Sequence, residues 1–269
     1  MPEKVKDIAS LILAAGRGSR MKAYEGSKTL LPLDPQTSPY QGNNPILLEI
    51  LGNLPTGPKA VVINHRKEDI IYATQGLGLS YLEQPVLNGT GGALLAAREF
   101  LEGSQFSHLI ITMGDVPLVR RSTYMGMVEN LKQKSLSVLG FIPEDKKQYG
   151  VLEVDGSRVL KITEWKYWKD YPKSRQQELR VCNSGIYAVN RDILLHYLPI
   201  LASRPHKVHK KINGVMSEVK EFFITDLVEY MCEDGLSVGY IIGEEDEVMG
   251  VDDLSALKKA QGLFLKQRR

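Results

Sequence analysis

Short apolar runs alternate with amphipathic segments through the first half of the chain. Four runs are too short for helices and are bounded by glycine, proline or charged residues, which predicts buried strands. These runs lie at 11–15, 59–63, 79–83 and 108–113. Apolar residues at helical spacing predict helices between them, at 46–54, 66–75 and 93–100. This β-α-β-α alternation predicts a mostly parallel sheet with helices on both faces.

The pattern changes after residue 135. Two apolar segments flank Asp155-Gly156, which is a strong hairpin signal and predicts that part of the sheet is antiparallel. Further strands are predicted at 136–142, 149–154, 158–163, 180–190 and 236–242, and helices at 191–201, 225–234 and 252–266. Three stretches without a clear period are predicted to be irregular connections, at 34–45, 165–180 and 203–221. The predicted fold class is a Rossmann-like three-layer α/β/α domain with a mixed, mostly parallel sheet.

Composition narrows the function classes. With 269 residues and 43% hydrophobic content, the chain can bury one large core, and no composition shift marks a hinge, so a single domain is expected. A net charge of +2 is too small to produce a long-range electrostatic field that would attract nucleic acid. Cys182 and Cys232 form no C-x-x-C pair. The charged N-terminus precedes an apolar run too short for a signal peptide or membrane span, so we expect a cytoplasmic protein with no nucleic-acid or membrane partner. The oligomeric state is left open.

A glycine- and arginine-rich loop follows the first predicted strand. Gly16 and Gly18 lack a Cβ, so their backbone N–H groups can approach phosphate oxygens closely. Arg17, Arg20 and Lys28 add three cations within a short stretch. We interpret this loop as a triphosphate clamp; the alternative is a strand that ends in a solvated basic turn.

Two better-known glycine motifs do not fit this loop. A dinucleotide-binding fingerprint needs a third small residue where this chain has Met21. A P-loop needs Gly-Lys-Ser/Thr, whereas Ser27 separates Gly26 from Lys28. The loop is therefore neither a dinucleotide fingerprint nor a P-loop.

Two aspartates are candidate metal ligands. Asp115 follows the strand at 108–113, and ligands of open parallel sheets bind at the carboxyl ends of strands. Asp252 lies in the turn at 249–253. Mg²⁺ prefers one or two protein carboxylates plus phosphate oxygens, so two separated aspartates suit it. As alternatives, Asp115 caps the following helix, and Asp252 and Asp253 are ordinary N-terminal helix residues.

A glycine-rich turn at 88–92 opens a predicted helix. Such a turn lets a flat base or ribose lie against the backbone. The alternative is a flexible turn without a ligand.

Taken in order, these motifs resemble the sugar-1-phosphate nucleotidyltransferases, and most closely the uridyltransferase half of bacterial N-acetylglucosamine-1-phosphate uridyltransferase. Each motif alone is weak, but their order along nearly the whole chain is specific. The matching segments are Leu13 to Met21, Lys28, Asn88 to Ala93, Gly114 to Leu118, Tyr149 to Val151, Glu164 to Lys166, Cys182 to Gly185, Phe223 to Asp226 and Gly250 to Asp252.

The resemblance implies a role for each matching position. It implies Mg²⁺ as cofactor, held by Asp115 and Asp252, and phosphate charge stabilised in the transition state by Arg20 and Lys28. The implied nucleotide-binding residues are Ala14, Ala15, Gly16, Arg17, Gly18, Gln84, Leu87, Gly89 and Thr90. The implied sugar-binding residues are Met113, Gly150, Glu164, Asn183 and Thr225. It divides the domain into a nucleotide-binding half at 1–118, a sugar-binding half at 119–251 and a closing helix at 252–269.

The chain departs from the family pattern in places. Leu87 stands where the family has a glutamine that reads uracil, and Gln84 is a candidate substitute. Met113 replaces a tyrosine and Ser27 a proline, near the expected sugar and phosphate positions. The sequence has no hexapeptide repeats, so we expect the acetyltransferase half of the bifunctional enzyme to be absent.

Together with this resemblance, these features predict an enzyme that condenses a nucleoside triphosphate with a sugar 1-phosphate, and the resemblance implies UTP and N-acetylglucosamine 1-phosphate as the favoured pair. The sugar phosphate attacks the α-phosphorus in line, pyrophosphate leaves and no general base is needed. One alternative is a cytidylyl- or thymidylyltransferase acting on another sugar phosphate or on phosphocholine. Another is a non-catalytic nucleotide-sugar sensor, against which the retained Arg20, Lys28 and aspartates argue.

Overall fold

Thirteen strands lie in the part of the chain that the structure, a computed structural model, describes: residues 7–16, 21, 24–212 and 215–268. They are β1 (Ile8–Leu13), β2 (Pro32–Ser38), β3 (Gln41–Pro45), β4 (Lys59–Ile63), β5 (Ser80–Glu83), β6 (His108–Met113), β7 (Leu136–Phe141), β8 (Val151–Asp155), β9 (Arg158–Thr163), β10 (Cys182–Asn190), β11 (His206–Ile212), β12 (Val215–Glu221) and β13 (Val238–Gly243). Nine of them form a central sheet in the order β5-β4-β1-β6-β10-β7-β13-β9-β8.

The sheet is mixed and mostly parallel, as predicted. Strands β5, β4, β1 and β6 pair in parallel, and so do β7 and β13. Strands β10 and β9 pair antiparallel with their neighbours and run against the rest of the sheet. The carboxyl ends of β4, β1 and β6 therefore meet at one edge.

Helices cover both faces of this sheet. They are α1 (Ile46–Asn53), α2 (Lys67–Ala73), α3 (Thr90–Ala96), α4 (Arg98–Gly103), α5 (Arg121–Asn130), α6 (Trp165–Trp168), α7 (Lys173–Glu178), α8 (Arg191–Ser203), α9 (Thr225–Glu233) and α10 (Leu254–Gln267). None of the helices in the described ranges combines the length and the apolar character that a bilayer span requires.

Alternation along β1 explains the three layers. Leu11 and Leu13 belong to a buried cluster with apolar residues of α3, α4, α8 and α9. Ile12 points to the opposite face, into a cluster with residues of α1, α5 and α10. Because successive side chains of a strand face opposite sides, β1 contributes apolar side chains to the cores on both faces of the sheet. The predicted α/β/α layering is confirmed.

The predicted irregular connections are wrong. Stretch 34–45 belongs mainly to the β2–β3 hairpin, whose ladder tolerates prolines at its open end, where Pro32 faces Pro45. Stretch 203–221 contains the β11–β12 hairpin, and 165–180 contains the short helices α6 and α7. The helix predicted at 93–100 is two helices, α3 and α4, which break at Ala97.

Candidate active site

The loops that follow β1 and β6 lie side by side at the carboxyl edge of the sheet. The Gly114 amide donates to the Leu13 carbonyl at 2.9 Å, and the Ala14 amide donates to the Val62 carbonyl at 2.9 Å. A Cβ at position 114 would lie 3.0 Å from the Ala14 Cβ, closer than almost all such contacts. Glycine therefore lets the two loops meet, and it brings Asp115 beside the loop after β1.

Lys28 lies between two aspartates that are far apart in the sequence. Its Nζ atom is 2.5 Å from Oδ2 of Asp115 and 3.0 Å from Oδ1 of Asp252. The backbone joins the two aspartate segments, because the Val251 amide donates to the Asp115 carbonyl oxygen at 2.8 Å. The Lys28 side chain is 12% exposed and that of Asp252 is 51% exposed, so the cluster opens to solvent on the Asp252 side.

Opposing effects act on the pKa of Lys28. Burial lowers it, but the charges and hydrogen bonds of Asp115 and Asp252 outweigh burial, so the pKa lies above the ordinary lysine value. The ammonium group therefore stays positively charged at neutral pH, as a phosphate-binding group must.

The same two carboxylates suit a divalent cation. Oxygens of Asp115 and Asp252 converge on one ammonium group, so both can reach a single cation near that position. The described residues hold no group of three or more His, Cys, Asp or Glu side chains placed to bind a metal. Because Mg²⁺ combines one or two carboxylates with phosphate oxygens, this pair fits an ion that is also bound by a phosphate ligand.

A cavity of about 290 Å³ lies beside this cluster and is called the smaller cavity. The predicted residues that line it are Ala14, Ala15, Gly16, Lys28, Gln84, Leu87, Gly89, Thr90, Met113 and Asp115. A Cβ at Gly16 would meet none of the described atoms within 4 Å, which leaves space for a ligand to approach the backbone. The predicted Arg17, Gly18 and Arg20 lie outside the described residues.

The glycines of the turn at 88–92 are explained by packing. The Gly91 amide donates to the Phe222 carbonyl at 2.8 Å, and the Phe222 amide donates to the Asn88 carbonyl at 2.9 Å. A Cβ at Gly91 would lie 2.7 Å from the Phe222 carbonyl carbon. Gly89 has φ +94°, and a Cβ there would come still closer to Phe222, at its carbonyl oxygen. The turn is thus held rigidly against the segment after β12.

Gln84 is buried in the wall of the smaller cavity. Its Nε2 atom donates to Asn88 Oδ1 and to the Gly89 carbonyl, both at 3.1 Å. Both amide protons are therefore used by the glycine turn, and the side-chain oxygen is the group that can accept a hydrogen bond from a base. Leu87, half-buried nearby, packs against the apolar core.

A second cavity, of about 1020 Å³, adjoins the first and is called the larger cavity. Thr90 and Met113 line both cavities, so the two spaces meet there. The predicted sugar-binding residues that line the larger cavity are Met113, Gly150, Glu164, Asn183 and Thr225. The structure therefore brings together every predicted site residue that it describes, either at these two cavities or, for Asp252, at the adjoining lysine cluster.

Two polar side chains of the larger cavity are held in place. The Asn183 side-chain NH2 group donates to the Tyr187 hydroxyl at 2.8 Å, and the Asn183 side-chain oxygen accepts from the Gly185 backbone amide at 3.0 Å. Burial raises the pKa of Glu164, against the effects of Lys166 and of a hydrogen bond with Thr225. A buried carboxylate is stabilised in its charged form by ligand groups that donate hydrogen bonds to it.

Sequence reasoning missed several charged or titratable residues of the cavities, and Glu221, His206 and Asp226 are three of them. Glu221, 7% exposed, lines the smaller cavity. His206 and Asp226 line the larger cavity. Glu221 and His206 lie on the β11–β12 hairpin, which was interpreted as a connection. Asp226 is the last residue of the segment Phe223 to Asp226, which matches a family motif. That match was the sequence signal that could have identified Asp226 as a site residue.

Comparisons with known proteins identify the family of this chain. A model of the MobA-like NTP transferase domain matches residues 10–189. The bifunctional protein GlmU of Novosphingobium aromaticivorans is 30% identical over an alignment of 269 positions, and this alignment covers 97% of this chain and 54% of that protein. The chain thus spans about half the length of the curated relatives it matches.

Solved structures share the fold. The uridine diphosphate N-acetylglucosamine pyrophosphorylase of Trypanosoma brucei aligns with a TM-score of 0.75 at 14% identity, covering 97% of this chain and 65% of that one. A structure from Bacillus anthracis, assigned as a glucose-1-phosphate thymidylyltransferase, aligns with a TM-score of 0.69 at 18% identity, covering 95% and 94%. The fold is that of the nucleotide-diphospho-sugar transferases.

Proposed function

The chain belongs to the MobA-like NTP transferase family and is an enzyme of nucleotidyl transfer, and from that premise we propose that it joins a nucleoside triphosphate to a sugar 1-phosphate. The observation that carries the proposal is the meeting of two cavities beside the cluster of Lys28, Asp115 and Asp252. The smaller cavity holds the nucleotide and the larger one the acceptor. Groups from 1–118 supply most of the nucleotide site, and groups from 119–251 supply most of the acceptor site, to which Thr90 and Met113 also contribute.

The reaction is a displacement at the α-phosphorus. A phosphate oxygen of the acceptor forms a bond to that phosphorus, the bond to the β-phosphate oxygen breaks, and the electron pair leaves with pyrophosphate. Such a transfer needs positioning and charge neutralisation more than a covalent nucleophile. Lys28 supplies a fixed positive charge, and Asp115 and Asp252 would hold Mg²⁺. When bound, Mg²⁺ supplies Lewis-acid neutralisation of phosphate charge.

We propose UTP and N-acetylglucosamine 1-phosphate as the preferred pair. The proposal rests on the ordered motifs that resemble the uridyltransferase half of the bacterial enzyme. Gln84 adds support, because it lines the smaller cavity and its side-chain oxygen can accept a hydrogen bond from the ring N–H of uracil.

The test is a matrix of nucleoside triphosphates against sugar 1-phosphates, with phosphocholine included, read by release of pyrophosphate. We expect pyrophosphate with UTP and N-acetylglucosamine 1-phosphate above all other pairs. Asp115→Asn is expected to keep the fold and lower turnover by about 100-fold or more. If no pair releases pyrophosphate while a nucleotide sugar still binds, the protein is a sensor and the proposal fails.

A further inference from the structure

A histidine and an aspartate that the reaction above does not use face each other in the wall of the larger cavity. The His206 Nε2 atom lies 2.9 Å from Oδ2 of Asp226. The imidazole also packs against the Phe223 ring, with 5.1 Å between ring centroids. The His206 side chain is 41% exposed and that of Asp226 only 14%, so the carboxylate is the more deeply placed of the two.

This pair continues the row of predicted acceptor-binding groups. Asp226 follows Thr225 directly, and the Thr225 side chain hydrogen-bonds Glu164. His206, Asp226, Thr225 and Glu164 therefore form one polar wall of the larger cavity. A sugar placed against Glu164 and Thr225 also meets Asp226.

The Asp226 carboxylate is fixed, and its partners among the described residues do not saturate it. It accepts hydrogen bonds from His206 and from the backbone of Phe223. A carboxylate offers about four lone-pair sites, so about two remain for hydrogen-bond donors of a ligand. Burial raises the pKa of Asp226 and His206 opposes that rise, so the histidine favours the charged, accepting form.

The position of His206 is set by a strand and not by a loop. His206 begins β11 and pairs with Glu221 at the end of β12. Glu221 lines the smaller cavity, whereas His206 lines the larger one. The base of this hairpin therefore spans both cavities and holds the imidazole in a fixed relation to the nucleotide side.

We propose that Asp226 and His206 form a specificity-determining site for the acceptor. Asp226 accepts hydrogen bonds from ring hydroxyl groups of the sugar, and His206 is a positioning residue that orients the carboxylate. The inference rests on the proposed function, because it adds a contact within the same cavity. An acceptor without the recognised hydroxyl leaves a remaining acceptor site of the Asp226 carboxylate unsatisfied and shielded from water by the sugar, and that penalty supplies discrimination.

Asp226 also lies in the first turn of α9, where a carboxylate stabilises a helix. A purely helix-stabilising role would lower the melting temperature of Asp226→Asn and leave the ranking of acceptors unchanged. The ranking of acceptors therefore separates recognition from helix stabilisation.

The first experiment compares His206→Phe, which removes the hydrogen bond, with His206→Gln, which keeps an N–H donor in the place of Nε2. At saturating nucleoside triphosphate, we expect His206→Phe to raise the acceptor KM by about 10-fold or more and to leave the nucleotide KM unchanged. His206→Gln should stay close to wild type. His209→Gln is the matched control, since His209 is exposed on the same strand, and it should change neither constant.

The second experiment measures monodeoxy analogues of the preferred sugar 1-phosphate. Wild type is expected to reject one analogue by about 10-fold or more, and Asp226→Asn to lose that discrimination. An unchanged acceptor KM in His206→Phe, or a wild-type ranking of analogues in Asp226→Asn, overturns the inference. Failure of the proposed function is distinct, because wild type would then release no pyrophosphate with any pair.

Discussion

Two neighbouring aspartates at the start of the last helix make different contacts. Asp252 contacts the Lys28 ammonium at 3.0 Å. Asp253 is the N-cap of α10, and its Oδ1 atom accepts from the Ala256 amide at 2.9 Å. The sequence alone made Asp252 a candidate metal ligand, with the alternative that Asp252 and Asp253 are both ordinary N-terminal helix residues. The structure assigns the cap to Asp253 and places Asp252 in the cluster.

This difference predicts that substitution of Asp252 lowers turnover, whereas substitution of Asp253 lowers stability. Asp252→Asn keeps the shape of the side chain and removes its charge, so we expect turnover to fall by about 100-fold or more with the melting temperature unchanged. Asp253→Ala removes the cap, so we expect a loss of about 1 kcal/mol in the free energy of unfolding with turnover unchanged. Steady-state kinetics and urea unfolding of both variants check the pair. A variant that loses both properties together would contradict the assignment.

The raised pKa of Glu164 predicts a pH-dependent stability. Because burial raises this pKa in the folded state, the protonated form favours folding. That contribution is fully present below the ordinary glutamate pKa and is lost as the pH rises through the raised value. Glu164→Gln does not titrate, so we expect it to gain stability relative to wild type through this window while its acceptor KM rises. Urea unfolding at a series of pH values measures the difference, and a pH-independent difference would contradict it.

At the scale of elements, the glycine turn and the segment after β12 form one packed unit. Gly91 lies in the first turn of α3, where a Cβ would come 2.7 Å from the Phe222 carbonyl carbon. The Ile224 amide also donates to the Thr90 hydroxyl at 3.2 Å. The contact joins the wall of the smaller cavity to the start of α9, so a shift at one side reaches the other.

Gly91→Ala is therefore expected to destabilise the fold by about 1–3 kcal/mol through overpacking. Gly262→Ala is the matched control, because Gly262 lies inside α10 and a Cβ there would meet no described atom within 4 Å. Because position 262 is exposed, alanine there should raise the free energy of unfolding by up to about 1 kcal/mol. Thermal and urea unfolding check both values. Equal changes in the free energy of unfolding for the two substitutions would show that the close contact with Phe222 does not exclude a side chain at position 91.

The elements that sequence reasoning missed share a physical cause. Hydrophobic periodicity detects elements that pack on the large core, and β1, β4 and β6 do so. The β11–β12 hairpin pairs with itself in a separate two-stranded sheet, so its alternating side chains carry little apolar signal. The β2–β3 hairpin has the proline, glycine and asparagine content of a loop. Its pairing depends on α10, whose buried Gln261 donates to the Pro32 and Pro39 carbonyls at 2.8 Å.

At the scale of the whole molecule, the order of motifs predicted the family, and the domain match at 10–189 confirms it. Pairing between distant residues was harder to predict. Lys28 and Asp252 are 224 positions apart, and their contact depends on the fold placing the Val251 amide against Asp115. The resemblance implied that Asp115 and Asp252 share a metal. Spacing alone could not predict a contact set by the backbone hydrogen bond.

Because the smaller cavity and its lysine cluster draw on distant parts of one chain, nucleotide binding should stabilise the whole fold. A ligand at about 100 times its Kd adds about 2.7 kcal/mol to the free energy of unfolding, which corresponds to a rise of roughly 5–10 °C in melting temperature for a domain of this size. We expect this rise with a non-hydrolysable UTP analogue and Mg²⁺, measured by differential scanning calorimetry. Chelation with EDTA should remove most of it, because the carboxylates then repel the phosphates.

The matched variant for this measurement is Asp115→Asn, which should show a smaller rise with Mg²⁺ and little change on chelation. Lys67→Met is the control, since Lys67 forms an exposed ion pair with Glu83 at 2.8 Å, away from the described cavity walls, and should respond as wild type does. An equal rise with and without Mg²⁺ in wild type would mean that the nucleotide binds without the aspartate pair. That outcome would remove Asp115 and Asp252 from metal binding while leaving the nucleotide cavity in place.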